Sequence, residues 1–240
     1  MEFATCKACN NGTRGADTVA AFMARISPHD VRNDWRWAEA LELRRALKID
    51  APGVYEEFVN SLEKTSIVRN GVIIRGAFVS NTPMGLGNRY LDIFASKFAM
   101  AIYRHACGKA LPLNGEFVYG VFLNAGLRQE DYELLLSIMP INDRLAQGEF
   151  VSDPQFSIRM NTDRRGIVIS LAHFNDGLHI FSLSYADKDL YGRLQFPEQY
   201  KRGQPGHLLE MLPPRPPQPP FKIDPSGLLL PRSIRRPRRR

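Results

Sequence analysis

Cys6 and Cys9, in the stretch Ala4-Thr5-Cys6-Lys7-Ala8-Cys9-Asn10-Asn11-Gly12, are the residues whose type and spacing most directly suggest chemistry. A Cys-x-x-Cys pair supplies two thiolates, half of the tetrahedral N or S donor set that structural zinc takes. The five residues before Cys6 include neither Cys nor His. A complete site therefore needs His29, His105 or a second copy of the chain contributing its own Cys6 and Cys9. A redox role of the thioredoxin kind is disfavoured, because no apolar strand precedes the pair. The third cysteine, Cys107, lies in an apolar helical pattern and reads as core. His105 is two residues from it, so the two do not share a helix face. His173 and His179 flank a hairpin-type turn and can face each other across it, with a pair of surface histidines as the simpler reading. Pro83-Met84-Gly85-Leu86-Gly87-Asn88 contains glycines but lacks the Lys and Ser/Thr of a phosphate loop. Glu56-Glu57 and Glu130-Asp131 read as first-turn acids of helices.

The formal net charge of +7 is unevenly placed. From Pro213 onward there are eight basic residues against one acid, Asp224, while the preceding 212 residues hold 24 of each sign. The body is neutral and the tail carries the excess. Nine of the 17 prolines also fall between Pro213 and Pro237. That composition cannot bury a core and reads as disordered. Arg232, Arg235, Arg236, Arg238, Arg239 and Arg240 are the candidate nucleic-acid contacts, acting on phosphates without sequence preference. No apolar run reaches the ~20 residues a membrane-spanning helix needs. With no secretory signal and three cysteines, the expected compartment is the cytoplasm.

The elements that must position these groups follow from periodicity. Residues 2–5 read as a short strand. Asp17 reads as the N-cap of a helix carrying Val19, Phe22, Met23 and Ile26. A second helix is expected from Pro28 to Leu47, burying Val31, Trp35, Ala38, Leu41, Leu43 and Leu47, and a short one over Tyr55–Leu62. Asn70-Gly71 between Ser66–Arg69 and Val72–Val79 is a strong hairpin signal. The longest helix is expected over Asn88–Cys107 and closed by Gly108. Strands are expected at Phe117–Leu123, Phe156–Asn161, Ile167–Phe174 and Leu178–Ser184, with a short helix over Glu130–Ile138. The class is α+β: an N-terminal segment with a helix (1–27), a mixed helix and antiparallel-sheet domain (28–212), and a disordered basic tail (213–240).

The opening motif, Cys6-x-x-Cys9-Asn10-Asn11-Gly12 followed by a helix, resembles the second zinc knuckle of HNH endonuclease-like proteins. A looser likeness covers Ile102-Tyr103-Arg104-His105 through Gly108-Lys109-Ala110-Leu111-Pro112. The resemblance implies that residues 1–27 are the remnant of a zinc-knuckle ββα unit, with zinc ligation by Cys6 and Cys9 and with Asn10 at a position that touches the catalytic metal in many family members. It also implies a DNA substrate cut by metal-assisted hydrolysis. The family's first cysteine pair and its general-base His have no counterpart in these 240 residues. The expectation is thus an N-terminally truncated relative, inactive alone, that holds a zinc half-site but not the divalent ion of catalysis. Its expected partners are DNA, through the tail, and a second copy sharing zinc. The rival expectation is a non-enzymatic binding protein whose Arg-rich tail docks on nucleic acid or another acidic surface.

Overall fold

The computed structural model describes residues 7–26, 35–69, 72–80, 85–123, 133, 146–152, 155–175, 177–191, 196–208 and 210. The class is α+β. Helices α1 (Lys7–Arg25), α2 (Trp35–Asp50) and α3 (Val54–Asn60) precede a hairpin of β1 (Leu62–Arg69) and β2 (Val72–Ser80). The long helix α4 (Gly85–Cys107) leads to β3 (Glu116–Leu123). After it come β4 (Ala146–Ser152), β5 (Phe156–Thr162), β6 (Ile167–Phe174) and β7 (Leu178–Tyr185), and then α5 (Lys188–Tyr191) and β8 (Lys201–Gly203). Six strands form one fully antiparallel sheet in the order β4-β5-β6-β7-β3-β8. The β1–β2 hairpin is a separate two-stranded sheet, with Arg69 opposite Val72 as a two-residue Asn-Gly connection requires.

α4 lies across β3, β6 and β7, and α1 packs on α4 and α2. The helix and the sheet meet through small residues, which lets them approach closely. Ala95, Ser96 and Ala99 of α4 are buried together with Ser170, Ala172, Ser182 and Ser184 of the sheet. The hydroxyls in this seam find partners: Ser170 and Ser182 share a 2.7 Å hydrogen bond, and Ser184 donates to the Ala99 carbonyl. The opposite face holds a second apolar cluster of Val118, Phe122, Ile169, Leu171, Phe181, Leu183 and Tyr185, against which Phe196 and Tyr200 pack. Burial on both faces explains why Ile167–Phe174 is nearly continuously apolar instead of alternating.

Several expectations are corrected. α1 begins at Lys7, ten residues before Asp17, and Asp17 is mid-helix, where its carboxylate takes two bonds from Lys97. Gly15 within α1 serves close contact, since a Cβ there would lie 2.3 Å from the Asp50 carbonyl oxygen and 2.8 Å from the Tyr90 ring. Packing outweighs the poor helix propensity of glycine, about 1 kcal/mol. On α2 the buried line is Ala40 and Leu47 with Leu43 half-buried, while Ala38 and Leu41 face outward. α4 starts three residues earlier than expected and is followed, as expected, by Gly108 at φ 71°. Strands β4 and β8 and the short α5 carry too few apolar residues to show a period. The expected strand 2–5, the tail and all of the helix 130–138 except Glu133 lie outside the described residues.

Candidate functional site

Cys9, Asn10, Asn11 and Gly12 occupy the first two turns of α1, and Cys6 lies just outside the described residues. The helix is firmly seated. Arg14 and Thr18 both bond the Asp50 carboxylate, at 3.1 and 3.2 Å, and Lys97 grips Asp17 at 3.0 and 2.7 Å. Arg25 pairs with Glu39 at 2.5 Å near the other end. Val19, Phe22 and Met23 belong to the same core as α4 and the sheet.

α1 and α4 run in the same general direction. Gly15 touches Tyr90 and Asp17 meets Lys97, while Met23 and Ala24 meet the β6–β7 turn, whose Phe174 packs on Phe94 and Phe98. Cys9 is therefore toward the start of α4 and His105 is at its far end. At 1.5 Å per residue the two are separated by roughly 30 Å along the helices. His105 is exposed in the last turn of α4, far along the helix from Cys9. His29 and the tail arginines lie outside the described residues. Among the described residues no cluster of three or more His, Cys, Asp or Glu could hold a metal.

The start of α4 offers no anion site either. Both oxygens of the Glu57 carboxylate accept backbone N–H bonds there, from Leu86 at 3.0 Å and Gly87 at 2.9 Å. A side chain of this protein occupies the place a phosphate would take at a helix N-terminus.

Two polar clusters on the sheet were only partly visible in the sequence. His173 and His179 are opposite one another on β6 and β7, with their Nδ1 atoms 2.6 Å apart. They are half-buried, not the exposed pair expected. Burial, and next the charge of Arg159, pushes the His173 pKa below its ordinary value. The separation is that of a hydrogen bond and is too short for two ligands at about 2.0–2.1 Å on one tetrahedral ion, which sit roughly 3.3 Å apart. The second cluster joins the end of α4 to the β5–β6 turn. There the Asp163 carboxylate accepts the N–H groups of Arg165, Gly166 and Ile167. Burial opposes ionisation of Asp163, yet those three bonds and the Arg165 charge hold its pKa below the usual value. Nearby, Tyr103 is fully buried, and its hydroxyl has no partner in hydrogen-bond geometry. Burial, and then the neighbouring Cys107, pushes the Tyr103 pKa up to about 12. Burial likewise raises the Cys107 thiol. A protonated, half-buried thiol beside a phenol is a packing group, not a nucleophile.

No helix among the described residues is long and apolar enough to cross a membrane. No family model, curated protein or solved structure matches this chain.

Proposed function

We propose that this chain carries one half of the zinc site and an accessory α+β domain of an HNH endonuclease-like protein, and that it does not hydrolyse phosphodiesters by itself. The observation that carries the reading is the spacing of Cys6 and Cys9, with Cys9-Asn10-Asn11-Gly12 opening a 19-residue helix that the body holds firmly. The resemblance expects a helix that begins near Asp17, after the motif, whereas Cys9 to Gly12 lie within the helix itself. Cys6 and Cys9 serve as zinc ligands, and a second copy's Cys6 and Cys9 complete an all-thiolate site. Asn10 is a vestige of the catalytic-metal position. Hydrolysis needs a divalent ion to neutralise the phosphate and a base to activate water. Asn10 offers at most one neutral ligand, and among the described residues His105 lies at the far end of α4 and His173 is engaged with His179.

A second reading is favoured by the division of charge between body and tail. In it the chain is a binding protein whose Arg232–Arg240 segment contacts nucleic acid. The two readings separate in a salt titration of duplex binding. Under the second, deleting residues 232–240 abolishes binding and removes up to about five units of the log–log salt slope. Under the first, the deletion removes only the non-specific part. Divalent-ion-dependent nicking of a plasmid by the purified chain, lost in the Asn10→Ala variant, would overturn the claim that it does not cut DNA alone.

A further inference from the structure

Phe117-Val118-Tyr119-Gly120-Val121-Phe122-Leu123 is a run of seven residues with no charge and no proline. Such a segment pairs readily with a copy of itself when its edge is bare. In the sheet it is β3, with β7 along one edge from Glu116 to Leu123. On the other edge the only strand among the described residues is β8, three residues long, opposite Phe117, Val118 and Tyr119. A strand that short adds few backbone bonds, so its side chains decide whether the edge stays covered.

Two ion pairs hold β8, one on each face of the sheet, because neighbouring strand residues point to opposite faces. Lys201 reaches the α4 side, where its Nζ is 2.6 Å from Asp92 Oδ2. Arg202 reaches the outer side, where its Nη1 is 3.0 Å from Glu116 Oε1 and donates to the Tyr185 hydroxyl at 3.4 Å. The acids belong to the body and are mostly buried, with side-chain exposures of 16% for Asp92 and 12% for Glu116. Tyrosine hydroxyls steady them: Tyr119 donates to Asp92, and Tyr185 to Glu116. The cations are open to solvent, at 53% for Lys201 and 38% for Arg202. Shape adds to the fit. A Cβ on Gly203 would lie 2.5 Å from the Phe117 ring, and one on Gly120 would lie 2.9 Å from the Tyr200 ring.

We propose that Tyr200–Gly203 is a detachable guard on β3, latched by Lys201 and Arg202, and that its release lets β3 pair edge to edge with β3 of a second copy. Release leaves Asp92 and Glu116 with their tyrosine partners and admits water to both, so no buried charge is stranded. The bared edge is uncharged, and the partner it fits is the same edge in an antiparallel, two-fold pair. With the guard seated, the outermost strand is short and carries two cations, which discourages such pairing. Salt weakens the latch, because both cations are exposed.

The test uses the full chain in metal-free buffer, so that zinc cannot link two copies. Hydrogen exchange by mass spectrometry and mass in solution are read at about 50 and 500 mM NaCl, for wild type and Lys201→Glu/Arg202→Glu. In wild type, salt should speed exchange of the 200–203 peptide about threefold and leave α4 and β6 unchanged. In the double variant that peptide should exchange about tenfold faster than wild type at low salt. Raising the variant's concentration should then give a dimer in which the β3 amides that face β8 slow down again. Exchange at 200–203 that ignores salt, or a rise that α4 shares, would overturn the latch. An open variant that stays monomeric, or a dimer whose β3 amides stay fast, would overturn the edge pairing. Lys201→Gln, which keeps the Arg202 pair, carries the same two readouts at smaller size if the double reversal does not fold.

Discussion

At the C-terminal end of α1, the carbonyls of Met23 and Ala24 lie against Gly177, and Arg25 is paired with Glu39. Four turns earlier, Cys9 and Asn10 open the same helix with residue types that call for a metal. The first end is closed by contacts the chain makes with itself. The other carries Cys9 and Asn10, the residues on which the proposed zinc role rests. The same contrast runs through the whole molecule. Glu57 caps α4, Asp163 caps the β5–β6 turn, and the serines under α4 bond one another or a helix carbonyl. Apart from the Tyr103 hydroxyl and the Asn175 side-chain oxygen, the described body answers its buried polar groups as a scaffold does, and the proposed chemistry at the start of α1 calls for a second contributor.

The largest effect is expected where that scaffold holds α1. Gly15→Val places a branched side chain into the Asp50 carbonyl and the Tyr90 ring. It should cost about 3 kcal/mol or more in chemical denaturation, and loosen the seat of the cysteine-bearing helix with it. A loss under 1 kcal/mol would mean that α1 is not held as described. Glu57→Ala strips two backbone N–H groups at the start of α4 of their acceptor and should cost about 1–2 kcal/mol by the same assay.

Acid should weaken the body in two separate windows. The folded pKa of His173 is below the ordinary value of 6.5, so under pH 6.5 the unfolded chain binds the proton first. Stability then falls as pH drops, until the folded-state pKa is passed. Asp163 has a folded pKa below 3.8, so its stabilisation is present above that value and is lost as pH falls beneath it. Melting curves from pH 8 to 5 should show the first loss, and His173→Phe should remove it. The smallest effect is expected at Tyr103→Phe, which deletes a buried hydroxyl that has no hydrogen-bond partner. It should change stability by less than about 1 kcal/mol, with a gain as the natural sign. A clear loss would expose a bond that the geometry lacks.

How far the sequence could be read depended on how local each cause was. Asn70-Gly71 and Gly108 act through their own backbone, and the hairpin and the end of α4 were legible from them. The stripe of Tyr90, Leu91, Phe98 and Ile102 was legible for the same reason, since one helix sets its period. The early start of α1 was not legible, because the contact of Gly15 with Asp50 that seats it spans 35 residues. The cap that Glu57 gives α4 was invisible as well, as it joins two elements across 30 residues. The histidine pair was half legible. Their positions around Asn175-Asp176-Gly177 set them face to face, but the burial comes from β3 and β5, which no local pattern announces. At the candidate site, the Cys-x-x-Cys spacing was plain, and the parallel course of α1 and α4 that separates it from His105 was not.

Cobalt(II) titration of the reduced chain, read by its absorption spectrum alongside mass in solution, tests the half-site most directly. The account expects tetrahedral, all-thiolate cobalt at about one ion per two chains, together with a dimer, and loss of both in the Cys6→Ser/Cys9→Ser variant. One ion held per monomer with nitrogen ligands, or a spectrum that the double variant leaves unchanged, would contradict it.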